Sequence, residues 1–112
     1  MDKRKELKDQ YKQRVIRGGV YRIINTVNGK YILSHAVDLK AAQNRFDFAV
    51  ANNSCIHYDL QEDWKEFGAK AFDFEVLEEI DKKQDQSQKE FKEDLETLEE
   101  LWREKLDAAR EY

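Results

Sequence analysis

Apolar residues recur at helical spacing at both ends of the chain. Near the start, Leu7, Tyr11 and Val15 lie four residues apart on one stripe, which predicts an amphipathic helix over residues 2–16. The glycine pair that follows ends this helix. From Glu90 onward the pattern predicts one long helix. Its apolar face is formed by Phe91, Leu95, Leu98, Trp102 and Ala109, with Leu106 at the edge.

Strand-like segments lie between these helices. Stretches rich in β-branched and aromatic residues predict strands at residues 19–26, 30–35 and 72–77. The first two flank Asn28-Gly29, a pair that accepts positive φ at both residues and therefore favours a type I′ hairpin turn. Residues 81–88 contain no apolar side chain and predict a loop.

Two shorter helices complete the predicted elements. One covers residues 38–51 with Asp38 as its N-cap, and Asn52-Asn53-Ser54 breaks it. The other runs near residues 58–68 and stops at its last residue, a glycine. The order α-β-β-α-α-β-α predicts an α+β fold, with a small three-stranded antiparallel sheet flanked by helices.

The size and composition of the chain restrict its class. A length of 112 residues suits a single domain over residues 1–112. The uncharged apolar runs are too short to cross a bilayer, so we expect no membrane association. The single cysteine, Cys55, cannot form an internal disulfide and fits a reducing compartment. We therefore expect a cytoplasmic protein of bacterial type.

Charge is distributed unevenly along the chain. The net charge is −4, but residues 1–46 hold 11 Lys/Arg against 4 Asp/Glu, whereas residues 47–112 hold 9 against 20. A basic half could make weak, non-specific contacts with DNA phosphates. An acidic half could hold a metal, repel DNA or meet a basic partner. The acidic net charge also leaves open a protein partner or a homodimer that does not bind DNA.

Three segments together resemble one enzyme family. The run from Gly19 to Lys30 (GVYRIINTVNGK) resembles the opening of a GIY-YIG nuclease domain. Residues 60–79 resemble the helix, glycine and third strand of that family, and residues 98–106 resemble its metal-site helix. The resemblance covers a family core at residues 18–106, preceded by the helix at residues 1–17. That helix is similar to the start of small, degenerate bacterial GIY-YIG-like domains found on LuxR-type and ArsR-type regulators.

The resemblance implies phosphodiester cleavage of DNA with one divalent metal, Mg²⁺ or Mn²⁺. In the family, a tyrosine of the first strand activates or positions water, a second tyrosine and an arginine bind the phosphate, and a glutamate binds the metal. Tyr21 matches the first tyrosine, and Glu99 matches the metal ligand. Such a site needs neutralised phosphate charge and an oxygen ligand for a hard cation.

The other two positions depart from the family pattern. The second tyrosine is replaced by Ile32 when the Asn-Gly-Lys turns are overlaid, and Tyr31 lies one residue away. A slip of one residue in a strand turns a side chain to the opposite face. The arginine position holds Ala42, with Arg45 nearly one helical turn later.

Two hypotheses follow from these departures. One is a catalytically impaired GIY-YIG-like domain that acts as a DNA-binding or regulatory module. The alternative is an active endonuclease in which Tyr31 and Arg45 compensate for the lost residues. Under either hypothesis we expect Tyr21 and Glu99 to face one concave surface. A zinc site at His35, Cys55 and His57 is disfavoured by their spacing.

Overall fold

A three-stranded antiparallel sheet organises the chain. The computed structural model describes residues 16–55 and 57–112, so all but the last residue of the helix predicted at 2–16 lies outside the described part. The strands run in the order β2-β1-β3, with β1 in the centre. They are β1 (Arg17–Asn25), β2 (Tyr31–Ala36) and β3 (Phe72–Asp81). The α-helices are α1 (Leu39–Ala51), α2 (Gln61–Phe67) and α3 (Gln88–Lys105).

The predicted α+β architecture is confirmed, and short 3₁₀ turns join its elements. These turns are Tyr58–Leu60, Ala69–Ala71 and Ala108–Arg110. None of the helices in the described part of the chain is long and apolar enough to cross a membrane.

The β1–β2 hairpin is present, but its predicted type I′ turn is wrong. Ile24 pairs with Tyr31, and the Asn25 N–H donates to the Lys30 carbonyl at 2.7 Å, which leaves residues 26–29 as a four-residue loop. Only Gly29 has positive φ in this loop (77°), whereas type I′ needs two such residues. The Asn25 side chain accepts from the Val27 N–H at 3.0 Å, and this local bond supports the longer loop.

Capping residues set the helix limits close to those predicted. The Asp38 carboxylate accepts from the Ala41 N–H at 3.2 Å, which confirms the N-cap of α1. The second predicted helix divides into the 3₁₀ turn at Tyr58–Leu60 and α2, and Gly68 stops it at a φ of 85°. A capping box of Ser87 and Glu90 starts α3 at Gln88.

Two other boundaries differ from the prediction. Helix α3 ends at Lys105, so placing Ala109 on its apolar face was wrong; Ala109 lies in the last 3₁₀ turn. Strand β3 continues to Asp81, beyond the predicted residue 77, because Arg17 at the start of β1 pairs with Asp81.

The sheet separates two hydrophobic clusters. On one side, here named the α1 face, Tyr21 and Ile23 pack with residues of α1 and α2. On the other side, the α3 face, Val20, Tyr31 and Leu33 pack with residues of α3. Consecutive strand residues point in opposite directions, so the neighbours Val20 and Tyr21 belong to different clusters.

Candidate functional site

A small cleft on the α1 face brings together two of the predicted site residues. Tyr21 and Arg45 both line a cavity of about 80 Å³ beneath α1. The Tyr21 ring is 7% exposed and stacks on Phe74 with ring centroids 4.6 Å apart. Arg45 is exposed at the rim and forms no ion pair within the described residues. The cleft therefore offers one phenol and one cation.

His57 is a third polar residue of this cleft. It lines the same cavity as Arg45. Burial lowers the pKa of His57, with the nearby Arg45 acting in the same direction and Asp59 opposing it. The imidazole is therefore neutral at pH 7 and can accept a proton. His57 follows a loop and lies outside every segment that resembles the family, so the sequence did not indicate that it would line this cleft.

The residues at the expected catalytic positions are apolar on this face. Ala42 is 5% exposed and lines the cleft. Ile32 pairs with Ile23 across the β1–β2 ladder and packs against the α1-face cluster. Neither side chain has a polar atom to bind phosphate, so the cleft has no second hydroxyl at the position where the family resemblance implies one.

Glu99 lies on the opposite face of the sheet from Tyr21. One carboxylate oxygen, Oε1, is 3.2 Å from His35 Nδ1, and the other accepts from Arg103 at 3.5 Å. His35 pairs with Val20, whose side chain is on the α3 face. The expectation that Tyr21 and Glu99 face one surface is therefore wrong. The physical reason is that α3 packs on the side of the sheet away from the Tyr21 ring.

Tyr31 also points to the α3 face, as its strand register requires. It is 2% exposed, and its hydroxyl donates to the Asp107 carbonyl at 3.0 Å. Burial, the largest cause, raises the pKa of Tyr31, and Glu111 raises it further. The ring lies in the α3-face cluster while Tyr21 lies in the other, so the two phenols do not meet.

Glu99 is poorly arranged to hold a divalent metal. Both of its oxygens already face cationic or hydrogen-bonding partners, and its side chain is only 17% exposed. Within residues 16–55 and 57–112, no group of three His, Cys, Asp or Glu side chains is placed to share an ion. Mg²⁺ and Mn²⁺ prefer oxygen ligands, and a guanidinium beside the carboxylate repels them. The residues present do not fit a metal centre at Glu99.

Ion pairs also neutralise part of the predicted basic half. Arg17 lies 3.4 Å from Asp81 and 3.6 Å from Glu79. Arg22 bonds to Glu75 at 2.8 Å. All three carboxylates belong to β3, so acidic residues from the second half of the chain cancel basic residues from the first.

The comparisons with known proteins agree with the fold just described. No family model and no curated protein matches the chain. Among solved structures, an alanine variant of the catalytic domain of the intron endonuclease I-TevI superposes with a TM-score of 0.63 at 22% identity. That match covers 87% of this chain and 92% of the other. The catalytic domain of the homing endonuclease I-TevI superposes with a TM-score of 0.61 at 24% identity. This match covers 85% of this chain and 95% of the other.

This likeness shows the fold. The chain is an α+β domain with a GIY-YIG-like architecture, and the structures that it resembles are those of the I-TevI catalytic domain. The identities of 22% and 24% leave its chemistry to be argued from the site.

Proposed function

We propose that this chain is a catalytically impaired nuclease-fold domain that acts as a binding or regulatory module. The observation that carries this proposal is the division of Tyr21 and Glu99 between opposite faces of the sheet. Cleavage of a phosphodiester needs a water activator, a metal ligand and phosphate-binding groups around one phosphorus atom. In this chain, the phenol and the carboxylate cannot surround one phosphate unless α3 moves.

The α1-face cleft supports a role in binding. Its exposed Arg45 stands beside a neutral His57 and a phenol, which is a set suited to contacting a phosphate oxygen. The similar solved structures are of an endonuclease catalytic domain. We infer that DNA is the partner and that it is held weakly and without sequence preference, since phosphate contacts alone carry no sequence information.

A nicking assay on supercoiled plasmid tests the loss of catalysis. Purified protein is incubated with Mg²⁺ or Mn²⁺, beside the variants Glu99→Ala and Tyr21→Phe. We expect no divalent-dependent nicking above the level of the two variants, since losing one preorganised group costs about 10²–10³ in rate. Robust nicking by the wild type that both substitutions abolish would overturn the proposal.

A working endonuclease remains a second candidate, and one observation favours it. Tyr21, Arg45 and His57 share a cleft, so a phenol, a cation and a base are already together. This candidate predicts that Arg45→Ala lowers nicking by about 10²–10³. The matched variant Arg22→Ala, whose guanidinium bonds to Glu75 outside the cleft, should then leave nicking unchanged. Equal losses in both variants would exclude the cleft as the centre of activity.

A further inference from the structure

Residues 107–112 form a strap along the outer edge of β2. Helix α3 ends at Lys105, and the N–H of its C-cap residue, Leu106, donates to the Trp102 carbonyl at 3.0 Å. Glu111 then forms a parallel bridge with Tyr31, and the Tyr112 N–H donates to the Tyr31 carbonyl at 2.9 Å. A peptide that adds to a sheet edge in this way gains its main-chain bonds from the edge strand.

The side chain of Tyr112 enters a polar pocket, here named the seat, which is formed by Asn25 of β1, Asn28 of the hairpin loop and Asp63 of α2. Its hydroxyl donates to Asp63 at 2.6 Å and accepts from the Asn25 amide at 3.2 Å. Asn25 is fully buried, and its amide donates to Asp63 at 3.3 Å as well as to the Tyr112 hydroxyl. The Asn28 amide also donates to Asp63 at 3.0 Å, and the ammonium of Lys30 lies 5.8 Å from the centre of the Tyr112 ring. The seat therefore recognises an aromatic ring with a hydroxyl at its tip.

A second anchor holds the residue before this tyrosine. Both carboxylate oxygens of Glu111 accept from Arg103 Nε, at 3.2 and 3.3 Å. Arg103 is itself held by Glu99 and Glu100 of α3, so the cation is oriented independently of the strap. The groove therefore reads two consecutive side chains, an acid and a tyrosine, on an extended backbone.

The rest of the strap is exposed, and the Asp107 carbonyl joins it to the sheet by accepting from the Tyr31 hydroxyl at 3.0 Å. Residues 107–110 are all exposed, and the strap is paired to β2 by one isolated bridge. Segments with few buried contacts open locally at a free energy well below that of global unfolding. The seat residues, in contrast, belong to β1, the hairpin loop and α2, and Asn25 is joined to Asp63 at 3.3 Å by a hydrogen bond that does not involve the strap.

We propose that this edge of the sheet is a peptide-binding site, filled in cis by Glu111-Tyr112 and able to take the same segment from a second copy of the chain. The ligand class is an extended peptide with an acidic residue followed by tyrosine. This site is separate from the α1-face cleft, so it stands whether or not the chain cleaves DNA.

The proposal is tested by adding a peptide to a variant of residues 1–112 in which the side chains of the seat's ligand are removed. The variant carries Glu111→Ala and Tyr112→Ala, and the probe is a fluorescent, C-terminally amidated peptide of residues 107–112. We expect saturable binding, and a probe carrying Tyr112→Phe should bind about 10–100-fold more weakly because Asp63 and Asn25 each lose the hydrogen bond to the phenol hydroxyl. Absence of binding by the folded variant, or equal binding of both probes, would overturn the site.

Hydrogen exchange of the wild-type chain gives a second readout that needs no variant to fold. If the strap is displaceable, the Tyr112 amide exchanges at least about 100-fold faster than the Ile23 amide of the central strand, since it opens locally. Exchange of both amides at the rate of global unfolding would show that the strap is a fixed part of the fold and would refute the proposal.

Discussion

The two faces of the sheet are packed in the same way but differ in how their charged side chains are paired. Each face buries an aromatic cluster against helices, with Phe46 on the α1 face and Phe91 on the α3 face. On the α1 face, Arg45 stands at an open cleft and has no carboxylate partner among the described residues. On the α3 face, the Glu99 carboxylate lies 3.2 Å from His35 Nδ1 and forms an ion pair with Arg103 at 3.5 Å. Packing specifies the fold on both sides, whereas the cleft of the α1 face has a cation at its rim and the Glu99 carboxylate of the α3 face is already bonded.

This difference shows that a fold and the chemistry of its clefts depend on different properties of the sequence. Core packing depends on the pattern of apolar positions, which tolerates exchanges of similar volume. Catalysis depends on particular polar atoms meeting at one point. Ile32 and Ala42 pack in the α1-face cluster and bring no polar side-chain atom to it.

The largest expected effect tests whether both faces contribute to stability. Phe46→Ala and Phe91→Ala should each lower the free energy of unfolding by about 3–5 kcal/mol, because both rings are buried, Phe46 in the α1-face cluster and Phe91 on α3. The controls are Phe48→Ala on α1 and Leu101→Ala on α3, at positions 69% and 49% exposed, which should change it by less than about 1 kcal/mol. Urea denaturation measures all four. A buried variant as stable as its exposed control would show that its face is not a packed core.

Much of the architecture could be predicted because it follows from local patterns. The N-cap at Asp38, the glycine stop at Gly68 and the apolar stripe of α3 from Phe91 to Trp102 each depend on neighbouring residues, and the structure confirms all three. The hairpin loop was missed because the Asn25 side chain bonds within the loop and competes with the two-residue turn.

The site was less predictable because it depends on which side of the sheet each helix packs. Strand alternation alone separates Tyr31 from Tyr21, and this could be anticipated. The side of the sheet on which α3 packs is a tertiary property that no local pattern specifies. The position of Glu99 could therefore not be predicted from the sequence. The seat of Tyr112 joins residues 38 and 87 positions apart in the sequence, for which no spacing rule exists.

The second prediction concerns the strap that links the two faces. Tyr112→Phe should lower the free energy of unfolding at pH 7 by about 1–3 kcal/mol, since Asp63 and buried Asn25 lose a hydrogen-bond partner. The matched control is Tyr58→Phe, whose residue is 86% exposed and should change stability by less than about 0.5 kcal/mol. Equal effects at both positions would contradict the seat.

The comparison of wild type with Tyr112→Phe also gives a pH dependence of stability with a defined sign. The Tyr112 hydroxyl, the largest cause, lowers the pKa of Asp63, so this contribution is present above the unfolded value of about 4 and is lost as the pH falls through the folded pKa. Burial, then the bond to Asp63, raises the pKa of Tyr112 to about 12, so its contribution is lost as the pH rises toward that value. The stability difference between wild type and Tyr112→Phe should therefore be constant between about pH 5 and 9 and shrink on both sides.

The third prediction separates a structural glutamate from a metal ligand. Glu99→Ala should lower the free energy of unfolding by about 1 kcal/mol, because His35 and Arg103 lose a partner that is mostly buried. Glu100→Ala, on the same helix but with a side chain 71% exposed, should cost less than about 0.5 kcal/mol. Thermal unfolding with and without Mg²⁺ is the measurement. A Mg²⁺-dependent rise in Tm that disappears in Glu99→Ala would show that the carboxylate does hold a metal.

The smallest expected effect concerns the available charge of the α1 face. Arg45→Ala should weaken binding of a short DNA duplex by about 2–5-fold and reduce the magnitude of the log–log salt slope by about 0.9, as expected when one phosphate contact is removed. Arg22→Ala should change neither quantity, because its guanidinium already bonds to Glu75 at 2.8 Å and has little charge left to offer a phosphate. Fluorescence anisotropy at low and moderate salt measures both variants. If Arg22→Ala weakens binding as much as Arg45→Ala does, DNA also contacts sheet side chains that are paired with β3, such as Arg22. In that case the difference in ion pairing between the two faces does not determine where DNA binds. If wild type shows no binding at low salt, the available cation at Arg45 serves a protein partner instead.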